Sequence, residues 1–277
     1  VDGVPVEVPT SARNGWVITA RRLFEDGGAS VFAGGRGRTA SVPAASENAR
    51  PSGRRRGAAA VVICTPNNPT GAVVPPIELR RIARECARRG AFLIIDRTYA
   101  GFEFERPPEP ARLSRLPENV ILIGSFSKVF AMTGWRVGYI AASAELIEQA
   151  LKAQDTTIIC APTIGQIAVR AAMKARRGVA PAFLAELRRR RDYVQKRVAA
   201  VKGWSSVPAA GGFFTFIRID GLKDSTAFAF DLLDRAHVLV MPGRIFGGAG
   251  EGHIRISFGV ADVPRLRTAF DRIGAGR

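Results

Sequence analysis

The sequence predicts an α/β protein, a mostly parallel sheet with flanking helices followed by a smaller α+β unit. Two observations predict it. Residues 59–64, 92–95 and 120–123 are short, continuous apolar runs bounded by glycine, proline or polar residues, as buried parallel strands are. Between the first two, residues 76–89 begin at prolines, carry Ile77, Leu79, Ile82, Ala83 and Cys86 on one side, and stop at Gly90, which reads as a helix. Strand, helix and strand make a βαβ unit.

The second half has a different rhythm. Residues 181–202 read as a long helix whose Phe183, Leu184, Leu187, Val194, Val198 and Val201 approximate one stripe. After Gly203-Trp204 come expected strands at 213–219, 238–241 and 253–258, and helices at 225–235 and 263–273. The chain of 277 residues, 47% of them hydrophobic, is large enough for two units. The expected division is 1–175 for the larger and 176–277 for the linking helix and smaller one.

Each predicted strand of the first unit runs into a polar cluster. Asn67-Asn68-Pro69-Thr70-Gly71 follows the first, and Asp96-Arg97-Thr98-Tyr99 the second. Ser125-Phe126-Ser127-Lys128 follows the third, and Gly134-Trp135-Arg136-Val137-Gly138 comes soon after. Ligands of open α/β sheets bind outside the carboxyl ends of the strands, so the clusters are expected to converge on one site. A lysine there can form a Schiff base with a carbonyl, and an arginine one loop away can grip a phosphate with its planar fork. Singly, Asp96 also reads as a turn or cap and Asn68-Pro69 as a turn, while Trp135 reads as a packing residue.

In this order the clusters resemble a class I aminotransferase among the fold-type I pyridoxal-phosphate enzymes. The resemblance continues through Pro242-Gly243, Phe246-Gly247 and Arg255-Ile256-Ser257-Phe258, and runs from about Ala59 to the end. It implies that Lys128 carries pyridoxal 5′-phosphate as a Schiff base and later shuttles a proton. It implies that Asp96 pairs with the pyridine nitrogen, and that Tyr99 and Asn68 hydrogen-bond the 3′ oxygen. Ser125, Ser127 and Arg136 are implied as phosphate contacts, with Ser127 the weaker of them. Asn68 and Arg255 would face the substrate, Arg255 gripping its α-carboxylate. The implied reaction moves an amino group from an aspartate-like amino acid to a 2-oxo acid, in a homodimer when the protein is full length. A lyase or synthase on the same residues, or the aminotransferase-like domain of a transcription regulator, stays open as an alternative.

Composition narrows the remaining classes. Cys64, Cys86 and Cys160 form no CxxC pair and read as buried thiols, and His237 and His253 as structural residues, so no metal site is expected. No apolar run approaches membrane-spanning length and no signal peptide is visible, which points to the cytoplasm. The 41 Lys and Arg against 24 Asp and Glu give +17. The run Arg188-Arg189-Arg190-Arg191 sits on a patterned helix and reads as a solvated face, so no nucleic-acid partner is expected.

Three features depart from the family pattern. Val1 falls where the middle of a large domain is expected, which suggests an N-terminally truncated chain. Its phosphate-cradling loop and ring-stacking aromatic would then be missing, its sheet would expose apolar surface, and its cofactor binding would be impaired. Residues 34–57 are irregular and rich in Gly, Ala, Arg, Ser and Pro, as an insertion or a locally shifted reading frame would be. Arg97 stands where an acidic residue is common.

Overall fold

A computed structural model describes residues 7–8, 10–24, 58–105, 116–175 and 180–275. The irregular 34–57 segment lies outside them. The described chain builds two four-stranded sheets. In the first, β1 (Ala60–Cys64), β2 (Phe92–Asp96) and β3 (Val120–Ser125) are parallel, and β4 (Gly138–Ala141) returns antiparallel along β3. The order β1-β2-β3-β4 follows the chain.

Alternation along these strands separates two faces. Val61, Leu93 and Val120 pair in register, as do Ile63, Ile95 and Leu122. All six are buried, and all but Leu122 share one core with Leu79, Ile82, Ala83 and Cys86 of α2 (Pro76–Arg88). Leu23 and Phe24 of α1 (Ala20–Phe24) join the same core. Pro76 starts α2 because the first turn needs no amide donor from it. On the opposite face Val62 is 69% exposed, and Ile123 and its partner Ile140 are also exposed. Leu151, Ile158, Ile164 and Ile167 on and between α3 (Ala144–Thr157) and α4 (Thr163–Ala175) add to this open apolar surface.

The second sheet is antiparallel with order β5-β6-β8-β7. Its strands are β5 (Trp204–Ser206), β6 (Phe214–Ile219), β7 (Met241–Pro242) and β8 (His253–Ser257). The helices α5 (Ala180–Ala199) and α6 (Ser225–Ala236) pack on it, and α7 (Val263–Ala275) packs on both of them. Asp224 caps α6 by accepting the Thr226 and Ala227 amides at 2.9 Å each. The expected strand over 238–241 shrinks to two residues. Its apolar alternation is genuine, with Val240 buried and Leu239 exposed, but only Met241 and Pro242 find ladder partners, Arg255 and Ile254.

Leu187, Val194 and Val198 of α5 enter the second core, whereas Phe183 from the same expected stripe is exposed. Tyr99, Phe102 and Phe104 enter it too, from the loop after β2, so packing crosses from one sheet to the other. The arginine run tightens that crossing rather than lying in solvent. Arg188 donates to the Phe104 carbonyl, and Arg190 pairs with Glu186 at 2.8 Å and donates to the Gly259 carbonyl at 3.2 Å. Arg191 donates to the Ala209 carbonyl at 3.1 Å while its guanidinium lies 4.6 Å over the Phe104 ring. Arg188 and Arg189 stay exposed while Arg190 and Arg191 are partly buried, because a run of four on a helix necessarily turns some members inward.

Candidate active site

The loop after β1 is fixed mainly by its own polar groups. Asn67 Oδ1 accepts the Thr70 hydroxyl at 2.8 Å, and the Gly71 amide donates to the Asn67 carbonyl at 2.8 Å. Thr65 Oγ1 takes the Val74 amide at 2.9 Å. Gly71 has φ +71°, and a Cβ there would stand 2.4 Å from the Ala209 Cβ. Only glycine therefore lets this turn dock on the second unit, where the Gly211 amide donates to the Gly71 carbonyl at 2.9 Å.

That docking places Asn68 beside β8. Arg255 Nη1 donates to Asn68 Oδ1 at 2.7 Å. The guanidinium lies 4.5 Å from the Phe214 ring centroid and 5.1 Å from that of Phe246. Arg255 Nε is buried and has no hydrogen-bond partner among the described residues. Burial lowers the guanidinium pKa from its ordinary value, and the nearby Tyr99 pulls it back up. Such a half-buried fork with an unsatisfied edge suits a planar anion, since a carboxylate can satisfy in-plane donors together.

Asp96 ends β2, opposite Cys64 on β1 and Ile123 on β3. Its Oδ1 accepts the Thr98 amide at 2.8 Å, so the local turn role is real and leaves the carboxylate fixed in direction. Tyr99 is buried, edge-on to Phe213 and Phe214 at 5.4 and 5.3 Å. Burial pushes its hydroxyl pKa up, Cys64 and Asp96 add to that, and Arg255 opposes it. Asp96, Tyr99, Cys64, Asn68 and Arg255 thus share one electrostatic neighbourhood. Arg97 pairs instead with Glu103 at 2.9 Å.

Beyond β3 the chain makes a tight turn in which the Ser127 amide donates to Ser125 Oγ at 3.2 Å and the Met132 amide to the Ser127 carbonyl at 2.9 Å. Ser127 is buried. Lys128 is partly buried, and no hydrogen bond or ion pair engages its amine among the described residues. Its neighbour Val129 packs on the core that holds Tyr99, and would touch a Cβ placed on Gly101. Arg136 lies two residues before Gly138, the ladder partner of Ser125. It is exposed, has φ +53°, and donates to the Thr133 carbonyl of its own loop at 3.0 Å. Trp135, expected to pack, is 42% exposed. Cys160, expected to be buried, is exposed because it sits in the bend between α3 and α4.

A sequence profile described as "Aminotransferase class I and II" matches residues 44–273. The chain belongs to that family. Over 219 residues this aminotransferase-family chain is 36% identical to "Aromatic-amino-acid aminotransferase 2" of Thermococcus litoralis, covering 77% of itself and 56% of that protein. It is also 36% identical, over 219 residues, to "Aspartate aminotransferase" of Pyrococcus abyssi, with the same coverage of each. Among solved structures it resembles an aromatic aminotransferase from Pyrococcus horikoshii, with TM-score 0.81, 31% identity, and coverage of 98% of this chain and 66% of that one. An aminotransferase from Mycobacterium tuberculosis gives TM-score 0.80 at 27% identity, covering 98% and 63%. The chain spans a little over half the length of the curated relatives it matches. Among its described residues no helix is long and apolar enough to cross a membrane.

Three side chains of the candidate site escaped the reading of the sequence. Cys64 ends β1 level with Asp96, and equal strand lengths in a parallel pair could have flagged it. Phe214 lies two residues from Phe216, the partner of Arg255, and so shares its sheet face by the period-2 rule, which the apolar run around it hid. Phe246 belongs to a motif noticed in the sequence but given no role there.

Proposed function

We propose that this chain carries the cofactor- and substrate-binding half of a pyridoxal-phosphate-dependent aminotransferase that moves an amino group from an amino acid, aspartate-like by preference, to a 2-oxo acid. The observation that carries the reading is Arg255, held between Phe214 and Phe246 with its Nε unsatisfied, beside the loop of Asp96 and Tyr99. Arg255 would bind the α-carboxylate of donor and acceptor alike, with Asn68 orienting the guanidinium from its other edge.

The donor set suits pyridoxal phosphate chemically. Asp96 offers a carboxylate for a protonated ring nitrogen, and Tyr99 and Asn68 offer hydrogen bonds for a phenolic oxygen. Ser125, Ser127 and Arg136 offer hydroxyls and a cation for a phosphate, and Lys128 an amine for an aldehyde carbon. When bound, the cofactor would supply an electron sink for the charge left on the substrate's α-carbon. Lys128 would take the proton from that carbon and return it, its amine being unengaged among the described residues. Asp96 would keep a proton on the ring nitrogen. Tyr99, edge-packed on Phe213 and Phe214, would exclude water from that side.

The larger unit would run to about residue 175 and the smaller from 176. Homodimer formation is supported by the apolar side chains that α3 and α4 leave exposed. The test of the whole reading is a borohydride trap of the chain with pyridoxal phosphate, followed by peptide mapping. The expected result is one reduced adduct, on Lys128, absent from Lys128→Ala. Adducts scattered over many lysines would remove Lys128 from its role. With the trap positive, release of ammonia and an oxo acid without any acceptor would favour the lyase alternative.

A further inference from the structure

The carboxylate-binding face of the second sheet is a ladder of alternating rings and cations. Phe216 and Arg255 are direct partners across β6 and β8, flanked by the pairs Arg218–His253 and Phe214–Ser257. Directly opposite residues share a face, so these six side chains stand in two adjacent rows. His253 stacks on Phe216 with centroids 4.6 Å apart and planes 3° from parallel. Phe216 meets Phe246 edge-on at 6.1 Å and 90°, and Phe246 lies 5.1 Å from the guanidinium. At the Tyr99 end the ladder closes on Phe214.

The other end closes on Trp16. Its ring meets His253 at 5.5 Å and 75°, and Phe216 at 5.6 Å and 72°, so one indole stands edge-on over both members of the stack. The backbone delivers it there deliberately. A 3₁₀ turn over Ala12–Asn14 ends at Gly15 with φ +65°, Trp16 itself has φ +64°, and its amide donates to the Ser11 carbonyl at 2.9 Å. Such a φ is unfavourable for a bulky residue and persists only when surrounding contacts hold it. The same segment reaches the Phe246 turn, since a Cβ on Gly247 would stand 2.5 Å from Glu7 Oε2. A few residues later Leu23 and Phe24 anchor the segment in the first core.

We infer that Trp16 is a positioning residue for Arg255, acting through the His253–Phe216 stack and Phe246 to set the plane of the guanidinium. This deepens the proposed function and rests on its carboxylate role for Arg255. A bidentate carboxylate needs both donors in one plane, and that plane is fixed here by the rings on either side of it. Without the indole edge, the His253–Phe216 stack loses the contact that limits its rotation, and Phe246, which meets Phe216 edge-on, is held less firmly in turn.

The test uses the full chain, ¹⁵N-labelled and without cofactor. The Arg255 Nε–H resonance is identified by its loss in Arg255→Lys. Its exchange with water is then compared in the parent, Trp16→Ala, Trp16→Leu and Trp16→Phe. Exchange at least about fivefold faster in the Ala and Leu variants, restored to within about twofold by Phe, is the expected pattern, because only the aromatic edge is lost or kept. Trp16→Leu retains apolar volume and so separates a loosened guanidinium from a failed fold, which thermal melts monitor. Unchanged exchange in a cooperatively melting Trp16→Leu overturns the inference. Titration with 3-phenylpropanoate tests the underlying reading separately. Binding that survives Arg255→Lys removes the carboxylate role whatever Trp16 does, whereas binding lost in Arg255→Lys but weakened less than twofold in Trp16→Leu counts against the positioning role alone.

Discussion

Arg255 on β8 and Asn68 after β1 are 187 residues apart in sequence and 2.7 Å apart between Nη1 and Oδ1. The bond ties the two sheets together through one charged donor and one neutral acceptor, at the place where the candidate site opens. Asn68→Ala leaves a partly buried guanidinium with a second empty edge. The expected cost is about 1–3 kcal/mol of unfolding free energy, seen as a lower urea midpoint with an unchanged slope. An unmoved midpoint would mean that water satisfies Arg255 equally well.

Arg191 offers a sharper discrimination. It combines the hydrogen bond to the Ala209 carbonyl with a guanidinium carbon 4.6 Å from the Phe104 ring centroid. Lysine keeps the charge but loses both the plane and the fork. Arg191→Lys is therefore expected to destabilise nearly as much as Arg191→Ala, by about 1–3 kcal/mol in urea unfolding. Full rescue by lysine would show that charge alone matters there.

The thiols should separate by alkylation. Burial pushes Cys64 and Cys86 up to about 11, while Cys160 is exposed. At pH 8 a thiol of that pKa is only about 0.1% thiolate. Iodoacetamide at pH 8 should label Cys160 first, with Cys64 and Cys86 reacting only on unfolding or as the pH approaches 11. Since both folded values lie above the ordinary 9.0, their contribution to stability is complete below pH 9.0 and lost as pH rises through about 11. Early labelling of Cys64 would show that its end of β1 opens readily.

His253 should set part of the acid limb. Burial lowers its pKa below the ordinary 6.5, the Glu251 and Gly250 carbonyls and the Glu251 carboxylate oppose that, and Arg218 adds to it. The rings of Trp16 and Phe216 face it as well. Its neutral form is the one the fold prefers, so the contribution is complete above pH 6.5 and lost as pH falls below it toward the folded value. His253→Phe is expected to flatten the fall of melting temperature between pH 7 and pH 5. An unaltered slope would assign that fall to other groups.

The elements legible in the sequence were those with a strong local signal. The prolines and apolar stripe of α2 mark it to within one residue of its end, and the apolar runs mark β1 to β3. By contrast β4, α3 and α4 were not read from the sequence. β4 is a mostly exposed edge strand, and apolar residues of α3 and α4, Leu151, Ile164 and Ile167 among them, lie exposed rather than packed into a core. That Asn68, Asp96, Tyr99 and Lys128 follow the ends of β1, β2 and β3 was legible, because turn chemistry and strand ends coincide there. The Arg188–Arg191 contacts were not, since a charge run looks the same in sequence whether it meets water or distant carbonyls. Those carbonyls belong to residues 104, 209 and 259, which only the tertiary fold brings near.

β1, β2 and β3 run in step, with Ile95 turned into the core and Asp96 onto the opposite face at the strand end. One alternation thus decides both which residues hold the sheet to α2 and which face the candidate site. Insertion or deletion of a single residue within β2 would put a carboxylate into the core and an isoleucine in its place. A change of two would restore the facing and displace the carboxylate by about 6.6 Å along the strand. Length variation in this strand is therefore quantised, and neither the smallest step nor the next preserves the site. The connecting loops are free of that constraint, so lineage-specific gaps in aligned relatives should gather there and avoid residues 92–96.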